Sequence, residues 1–142
     1  MPLIPKRIKY RKRHKGRIKG KSSRGTVLTH GEYGIKAVEV GIITSQQMEA
    51  ARLAIARTIK KGGKIFFKIS TDKPITKKPL ETRMGKGKGE VAMWVAPIQP
   101  GRIILEIEGI SEDIAMKALK VACDKLPFQT KIISRHKLGV AQ

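Results

Sequence analysis

The sequence predicts an α+β fold in which two helices pack on a mixed, mostly antiparallel sheet. Two helical patterns of apolar residues, one after Thr44 and one after Ser111, alternate with short runs of β-type residues. A length of 142 residues suits one domain rather than two. We expect that domain at residues 26–133, with a basic arm at 1–25 before it and a flexible tail at 134–142 after it.

The domain is predicted to begin with two strands. Residues 26–30 and 35–43 are rich in β-branched and other apolar side chains. Gly31 and Gly34 lie between or at the edge of these runs and are placed at the turn that joins them.

The first helix is predicted from a start signal, an apolar face and a stop signal. Thr44 is suited to the N-cap, and Gln47 stands three residues later, as in a capping box. Gly62 and Gly63 end the pattern. The apolar residues that recur at helical spacing are Met48, Ala51, Ile55 and Ile59.

A long loop is predicted in the middle of the domain. Strands are expected at residues 64–70 and 91–98. The segment between them, taken as an extended loop at 71–90, holds Pro74, Pro79 and three glycines. A loop this long inside a compact domain is usually functional.

The domain is predicted to end with a strand, a helix and a short strand. Residues 102–108 alternate between apolar and charged side chains, which places Glu106 and Glu108 on an exposed face as salt-bridge partners. Ser111 caps the second helix, and residues 128–133 form the last strand. The apolar face of that helix comprises Ala115, Ala118, Leu119, Ala122 and Leu126.

The charge balance indicates a polyanionic partner. The chain has 31 Lys and Arg against 11 Asp and Glu, a formal net charge of +20. Nucleic acid is the natural counter-charge, and an anionic membrane is the second option. Aromatic residues make up only 4% of the sequence, which favours recognition of folded RNA through shape and phosphates over base stacking. No run of residues is long and apolar enough to span a bilayer.

The arm concentrates the positive charge. The first acidic residue in the chain is Glu32, so the whole arm lacks carboxylates. Glycines interrupt it, and we expect it to become ordered on RNA rather than on the protein body. The alternative is a disordered, solubilising tail. The arm residues predicted to contact RNA are Lys6, Arg7, Lys9, Tyr10, Arg11, Lys12, Arg13, His14, Lys15, Arg17 and Lys19.

The long loop contains a run in which glycines alternate with lysines. Its members are Arg83, Met84, Gly85, Lys86, Gly87, Lys88 and Gly89. The glycines permit positive φ and close approach of main-chain N–H groups to phosphate or ribose oxygens. The lysines supply charge, Arg83 can stack on a base, and Met84 offers a soft apolar contact. The alternative is a flexible hairpin tip without specific contacts.

The first helix offers a second basic surface. Arg57 and Lys60 oppose its apolar face, and Arg52 and Lys61 lie near them. These four residues are predicted either to contact RNA or to form a solvated face.

Several stretches of the sequence are too specific to follow from a general physical demand, and the longest runs from Asp72-Lys73-Pro74 through Lys88-Gly89. The others are Pro5-Lys6-Arg7 to Tyr10-Arg11-Lys12, His14-Lys15-Gly16-Arg17, Gly31-Glu32-Tyr33-Gly34, Ile43-Thr44-Ser45 to Glu49-Ala50-Ala51-Arg52, Gly62-Gly63-Lys64, Trp94-Val95-Ala96, Gln99-Pro100-Gly101 and Lys125-Leu126-Pro127. In these stretches, and along nearly the whole chain, the sequence closely resembles the large-subunit ribosomal protein sixteen family of the bacterial and organellar type.

The resemblance implies an α/β-hammerhead-like fold and a non-catalytic role in the large ribosomal subunit. It implies that the arm and the basic helix face bind large-subunit rRNA, and that the loop at 83–89 contacts or positions A-site tRNA, and P-site tRNA as well, near the peptidyl transferase centre. The expected partners are large-subunit rRNA, tRNA and neighbouring large-subunit proteins, with no cofactor, membrane or homo-oligomer. The expected location is the cytoplasm, or an organelle matrix or stroma.

Other function classes are less consistent with the sequence. A free architectural or annealing protein for RNA or DNA is the runner-up. The Gly/Lys run lacks the GK[ST] ending of a phosphate-binding loop of nucleotide hydrolases. His14, His30 and His136 are too scattered to predict a metal site, and Cys123, beside an apolar helix face, is interpreted as an inert thiol.

Overall fold

The computed structural model describes residues 5–60 and 62–135. Within them the chain forms an α+β fold, which confirms the predicted class. The elements are β1 (Tyr33–Ala37), β2 (Gly41–Thr44), α1 (Ser45–Ile59), β3 (Lys64–Phe67), β4 (Lys73–Lys77), β5 (Glu90–Ile98), β6 (Ile103–Glu108), α2 (Glu112–Cys123) and β7 (Thr130–Ser134).

The strands form two antiparallel sheets rather than the single sheet that was predicted. The larger sheet has the order β3-β6-β1-β7, and the smaller sheet has the order β2-β5-β4. All recorded pairings are antiparallel. The two sheets separate where the chain passes from β1 to β2 through three exposed residues at 38–40.

The core lies between the helices and one face of each sheet. In the larger sheet, Ile35 pairs with Leu105 and Tyr33 with Ile107, and all four side chains are buried in one apolar cluster with Leu119 of α2. The smaller sheet and α1 add further buried residues to the cluster, namely Ile43, Met48, Ala51, Ile55, Ala96 and Ile98. Fully burying one such large side chain stabilises the fold by about 1.5–3 kcal/mol.

The two helices begin in different ways. At α1 the Thr44 hydroxyl accepts from the Gln47 N–H at 3.2 Å, and the Gln47 side chain accepts from the Thr44 N–H at 3.0 Å, which confirms the capping box. At α2 the predicted N-cap Ser111 holds its position, but its side chain makes no capping hydrogen bond. The first turn of α2 carries Glu112 and Asp113, whose negative charges suit a helix N-terminus.

The prediction of a strand at residues 26–30 is wrong. The backbone N–H groups of His30 and Gly31 each donate to the Glu106 carboxylate at 2.8 Å, and that of Thr29 donates at 3.3 Å. Because the carboxylate takes the N–H groups of Thr29, His30 and Gly31, these donors are not available for a strand ladder. Leu28 is buried beside Gly34 on the same face of the larger sheet, so the segment from Leu28 to Gly31 covers the face opposite the helices.

The same covering explains why Glu106 is buried rather than exposed. Alternation placed Glu106 on a solvent face, but its side chain is fully buried beneath residues 29–31. The Lys68 ammonium lies 3.8 Å from its carboxylate, so the predicted salt-bridge role is present together with the backbone contacts. An irregularity between the pairs Ile35–Leu105 and Lys36–Ile103 also brings Ile104 into the core.

Other boundaries shift by tertiary pairing. The predicted strand at 35–43 is split between β1 and β2, and Gly34 lies inside β1 rather than at a turn. The expected loop at 71–90 contains β4 and ends at β5, so it is a β-hairpin with its connection at residues 78–89. The tail was expected at 134–142, but Ser134 is the last residue of β7 and pairs with Tyr33, so the strand runs one residue further than predicted. The rest of the predicted tail, beyond residue 135, lies outside the described residues. Neither helix of the described chain has the length and apolar character of a membrane span.

Candidate RNA interface

The basic arm lies along the protein body. The Lys12 ammonium donates to the Lys88 carbonyl at 2.8 Å, and the Lys88 ammonium donates to the Arg13 carbonyl. The Lys73 ammonium donates to the Lys15 carbonyl. The prediction that the arm is ordered on RNA and not on the body is therefore wrong, since carbonyls of the arm find donors on the hairpin of β4 and β5.

The second half of the arm is held by further contacts with the body. The Gln99 amide donates to the Lys19 carbonyl at 2.8 Å, and the Ser22 N–H donates to the Pro100 carbonyl at 2.9 Å. The Ile103 N–H donates to the Gly25 carbonyl at 2.8 Å, which fixes the end of the arm beside β6.

These contacts leave the cations of the arm exposed. Every lysine and arginine from Lys6 to Lys19 is exposed, as is His14. Tyr10 is 67% exposed, and the Lys9 ammonium lies 5.6 Å from the centre of its ring. Because the bonds described above use neutral carbonyls, the arm keeps its full positive charge for an anionic partner.

The loop at 83–89 projects from the hairpin and is exposed from Arg83 to Lys88. Gly85 and Gly87 have φ values of 104° and 86°, as expected, and Lys86 also has a positive φ of 54°. Gly89 differs: its φ is not positive, and a Cβ there would lie 2.8 Å from the Lys77 carbonyl oxygen. Gly89 is therefore required by close backbone approach across the hairpin.

The two lysines of this loop have different environments. Lys86 is exposed and makes no hydrogen bond or ion pair with the described part of the chain, whereas Lys88 donates to the arm. The tip is closed by the Lys78 ammonium, which donates to the Gly85 carbonyl at 2.8 Å. Met84 is 95% exposed and is free to contact a partner.

The basic helix face is only partly available. The Arg52 Nε lies 3.0 Å from both carboxylate oxygens of Glu49, and this hydrogen bond, with the charge of Arg52, lowers the pKa of Glu49. Arg57 and Lys60 are exposed and have no such partner in the described chain. Lys61 lies outside the described residues. The exposed cations on this face that form no ion pair within the described chain are therefore Arg57 and Lys60.

Sequence reasoning missed Lys73 and Lys78 as members of this surface. Both belong to the segment that was expected to be a structureless loop, so nothing in the pattern placed them beside the arm or the loop tip. The hairpin register and the arm carbonyls bring them there. The clustering of lysines at 73, 77 and 78 was the one available signal.

Cys123 and His30 both make packing contacts. Burial raises the pKa of the Cys123 thiol, although Thr130 bonds to it, and so favours the unreactive thiol. His30 stacks on Phe66 with ring centres 5.3 Å apart, which is a packing role. Across residues 5–60 and 62–135, no three His, Cys, Asp or Glu side chains are placed to hold a metal ion.

Comparison with known proteins assigns the family. The model of the family described as "Ribosomal protein L16p/L10e" matches residues 5–133. The "Large ribosomal subunit protein uL16" of Thermosipho melanesiensis is 53% identical over 137 residues, or 96% of each chain. The protein of the same description from Fervidobacterium nodosum is 55% identical over 137 residues, again 96% of each chain. The chain therefore belongs to the ribosomal protein L16p/L10e family, whose members are structural ribosomal proteins and not enzymes.

Proposed function

We propose that the protein is a structural component of the large ribosomal subunit, in the cytoplasm, where it binds large-subunit rRNA. The loop at 83–89 contacts or positions A-site tRNA, and P-site tRNA as well, near the peptidyl transferase centre. The partners are large-subunit rRNA, neighbouring large-subunit proteins and tRNA. The names of the relatives support the proposed place in the large ribosomal subunit, and the resemblance described above supports the proposed tRNA contact.

The observation that carries the proposal is the physical continuity of arm and loop. The contacts of Lys12 and Lys88 join the two most basic segments into one surface, and neither segment forms an ion pair within the described chain. Such a surface holds RNA by displacing counterions from its phosphates. The mechanism is electrostatic positioning, in which crowded phosphates are neutralised so that rRNA and tRNA keep a productive geometry.

Two variants separate the roles of the arm and the loop. Replacement of Arg11, Arg13 and Lys15 by Ala removes exposed charges of the arm and should impair incorporation into large subunits, measured by co-sedimentation. Replacement of Arg83 and Lys86 by Ala removes exposed charges that make no ion pair within the described chain. It should leave incorporation nearly intact and weaken tRNA accommodation. Loss of the second variant from subunits would instead make the loop an rRNA contact required for assembly.

The runner-up function is that of a free architectural or annealing protein. A ribosomal component co-sediments with large subunits at one copy each and resists moderate salt washing. Recovery mainly in free ribonucleoprotein or on DNA would refute the proposal.

A further inference from the structure

The outward face of the smaller sheet is apolar. Its other face packs on the core through Ile43, Ala96 and Ile98. On the outward face, Ile42 pairs with Pro97, and Ile75 pairs with Met93 on the same side of the sheet. Ile42 is 38% exposed and Met93 is 44% exposed, although an outward sheet face is normally polar.

The arm covers part of this face, and a groove lies between the arm and the sheet. The groove has a volume of about 280 Å³, and Ile18 of the arm lies opposite the sheet. Four cations stand around it, namely Arg13, Lys15, Lys73 and Lys88, and no residue that lines it is acidic. The ammonium groups of Lys73 and Lys88 each donate to one arm carbonyl, which leaves two of their three N–H donors for a ligand.

We propose that this groove holds one unstacked nucleotide of RNA, with its base on the apolar sheet face and its phosphate among the four cations. The inference rests on the proposed RNA-binding function and names a recognition site within it. The volume of about 280 Å³ lies just below the range of small-ligand sites, roughly 300 to 1,000 Å³, so the groove suits one base-sized group rather than a longer segment.

The lining also determines what the groove can distinguish. Thr76 supplies its one hydroxyl, while the floor is formed by aliphatic side chains and Pro97. Base edges are read by convergent donors and acceptors, which this floor lacks. The site therefore recognises that a nucleotide is extruded from a helix, and it accepts any of the common bases.

The test uses the full-length protein and two RNA hairpins of equal nucleotide number. One hairpin carries a single unpaired nucleotide in its stem, and the other is fully paired with one more nucleotide in its loop. At about 150 mM salt, where long-range attraction is screened, the wild type should bind the bulged hairpin at least about fivefold more tightly. A 4-thiouridine at the bulge should photo-cross-link to the arm or to β2 and β5.

Filling the groove should remove only this preference. Ile42→Trp places a bulky ring on the exposed outward face, and Pro97→Trp does so from the paired strand. Both should bind the two hairpins equally and keep the wild-type affinity for the paired one. The matched control is Val121→Trp on α2, a residue that is 43% exposed and does not line the groove, and it should keep the preference.

Each contrary result has a separate meaning. Equal binding of the two hairpins by the wild type, in a protein that still enters large subunits, would overturn the nucleotide site and leave the proposed function intact. If the wild type binds neither hairpin and does not enter large subunits, both the nucleotide site and the proposed function would be overturned. If Ile42→Trp keeps the preference but is lost from subunits, the groove is a contact for a neighbouring protein and the inference is wrong.

Discussion

Replacing Glu106 with glutamine should destabilise the protein although the side chain keeps its shape. The Glu106 carboxylate is fully buried, and one of its oxygens accepts from the N–H groups of both His30 and Gly31 at 2.8 Å. In the variant, the amide oxygen can still accept both bonds, but it carries no full charge. The new NH₂ group then faces the Thr29 N–H and the Lys68 ammonium, which are donors themselves.

The expected loss follows from the strength of these bonds. Hydrogen bonds to a charged group contribute about 1.5–3 kcal/mol, and neutral ones about 0.5–1.5 kcal/mol. In Glu106→Gln two hydrogen bonds change from a charged to a neutral acceptor, which should lower the free energy of unfolding by about 2 kcal/mol. Glu106→Leu, which leaves three N–H groups without an acceptor, should cost more, about 3 kcal/mol or above.

The effect should depend on pH in a defined direction. Burial acts to raise the pKa of Glu106, but donation by Gly31, His30 and Thr29, with the charge of Lys68, outweighs it and lowers the pKa below its ordinary 4.5. A carboxyl with a lowered folded-state pKa contributes stability above its unfolded pKa, and this contribution is lost as pH falls through the folded pKa. The gap between wild type and Glu106→Gln should thus be full at pH 7 and shrink below about pH 4.5.

Urea unfolding of the full chain at several pH values measures this gap. The matched control is Glu108→Gln in the same strand, because the partly exposed Glu108 carboxylate accepts no hydrogen bond from the described chain. This variant should change the free energy of unfolding by no more than about 0.5 kcal/mol. Amide hydrogen exchange should also accelerate at residues 29–31 in Glu106→Gln alone. A loss below about 0.5 kcal/mol, or a gap that does not change with pH, would refute this account of Glu106.

Three further predictions concern the caps, a close backbone contact and the arm. Thr44→Ala should lower the free energy of unfolding, measured in urea, by about 1 kcal/mol. Ser111→Ala should have a smaller effect, because the Ser111 hydroxyl makes no capping hydrogen bond. Equal losses in the two variants would contradict the caps described above. Gly31→Ala should cost about 1–3 kcal/mol in the same assay, because the new Cβ would lie 2.7 Å from the Ile107 carbonyl oxygen; a neutral change would show that the segment can move away. Lys73→Met should speed tryptic cleavage of the arm at residues 11–17, because the Lys15 carbonyl loses its hydrogen-bond donor. Lys120→Met on α2 is the control. Unchanged cleavage in Lys73→Met would mean that this contact does not hold the arm.

Local signals predicted the helices, because a helix is specified by neighbours within a few turns. The capping box of Thr44 and the apolar spacing from Met48 to Ile55 lie within one short segment. The errors occur where a distant residue decides the structure. Glu106 takes the N–H groups of a segment about 76 residues away, so no local pattern could show that residues 26–30 are not a strand.

The candidate RNA surface was predicted in its parts but not in its assembly. Charge clustering and the absence of acids identified the arm and the loop without any knowledge of the fold. Their contact through Lys12 and Lys88 spans 76 residues, and the groove beneath the arm depends on the pairing register of Ile42 with Pro97. Neither relation leaves a periodic or compositional trace, since both arise from tertiary packing.

The way in which the arm is held preserves its charge. Within the described residues the ion pairs are Arg52–Glu49 and Lys68–Glu106, and neither involves the arm or the loop. The arm is held instead by donation to carbonyl oxygens, which are neutral. A salt bridge at Lys73 or Lys88 would fix the arm as well but would cancel a positive charge that the proposed RNA contact uses. The fold thus positions its most basic segments on the body and keeps their charge available for phosphate.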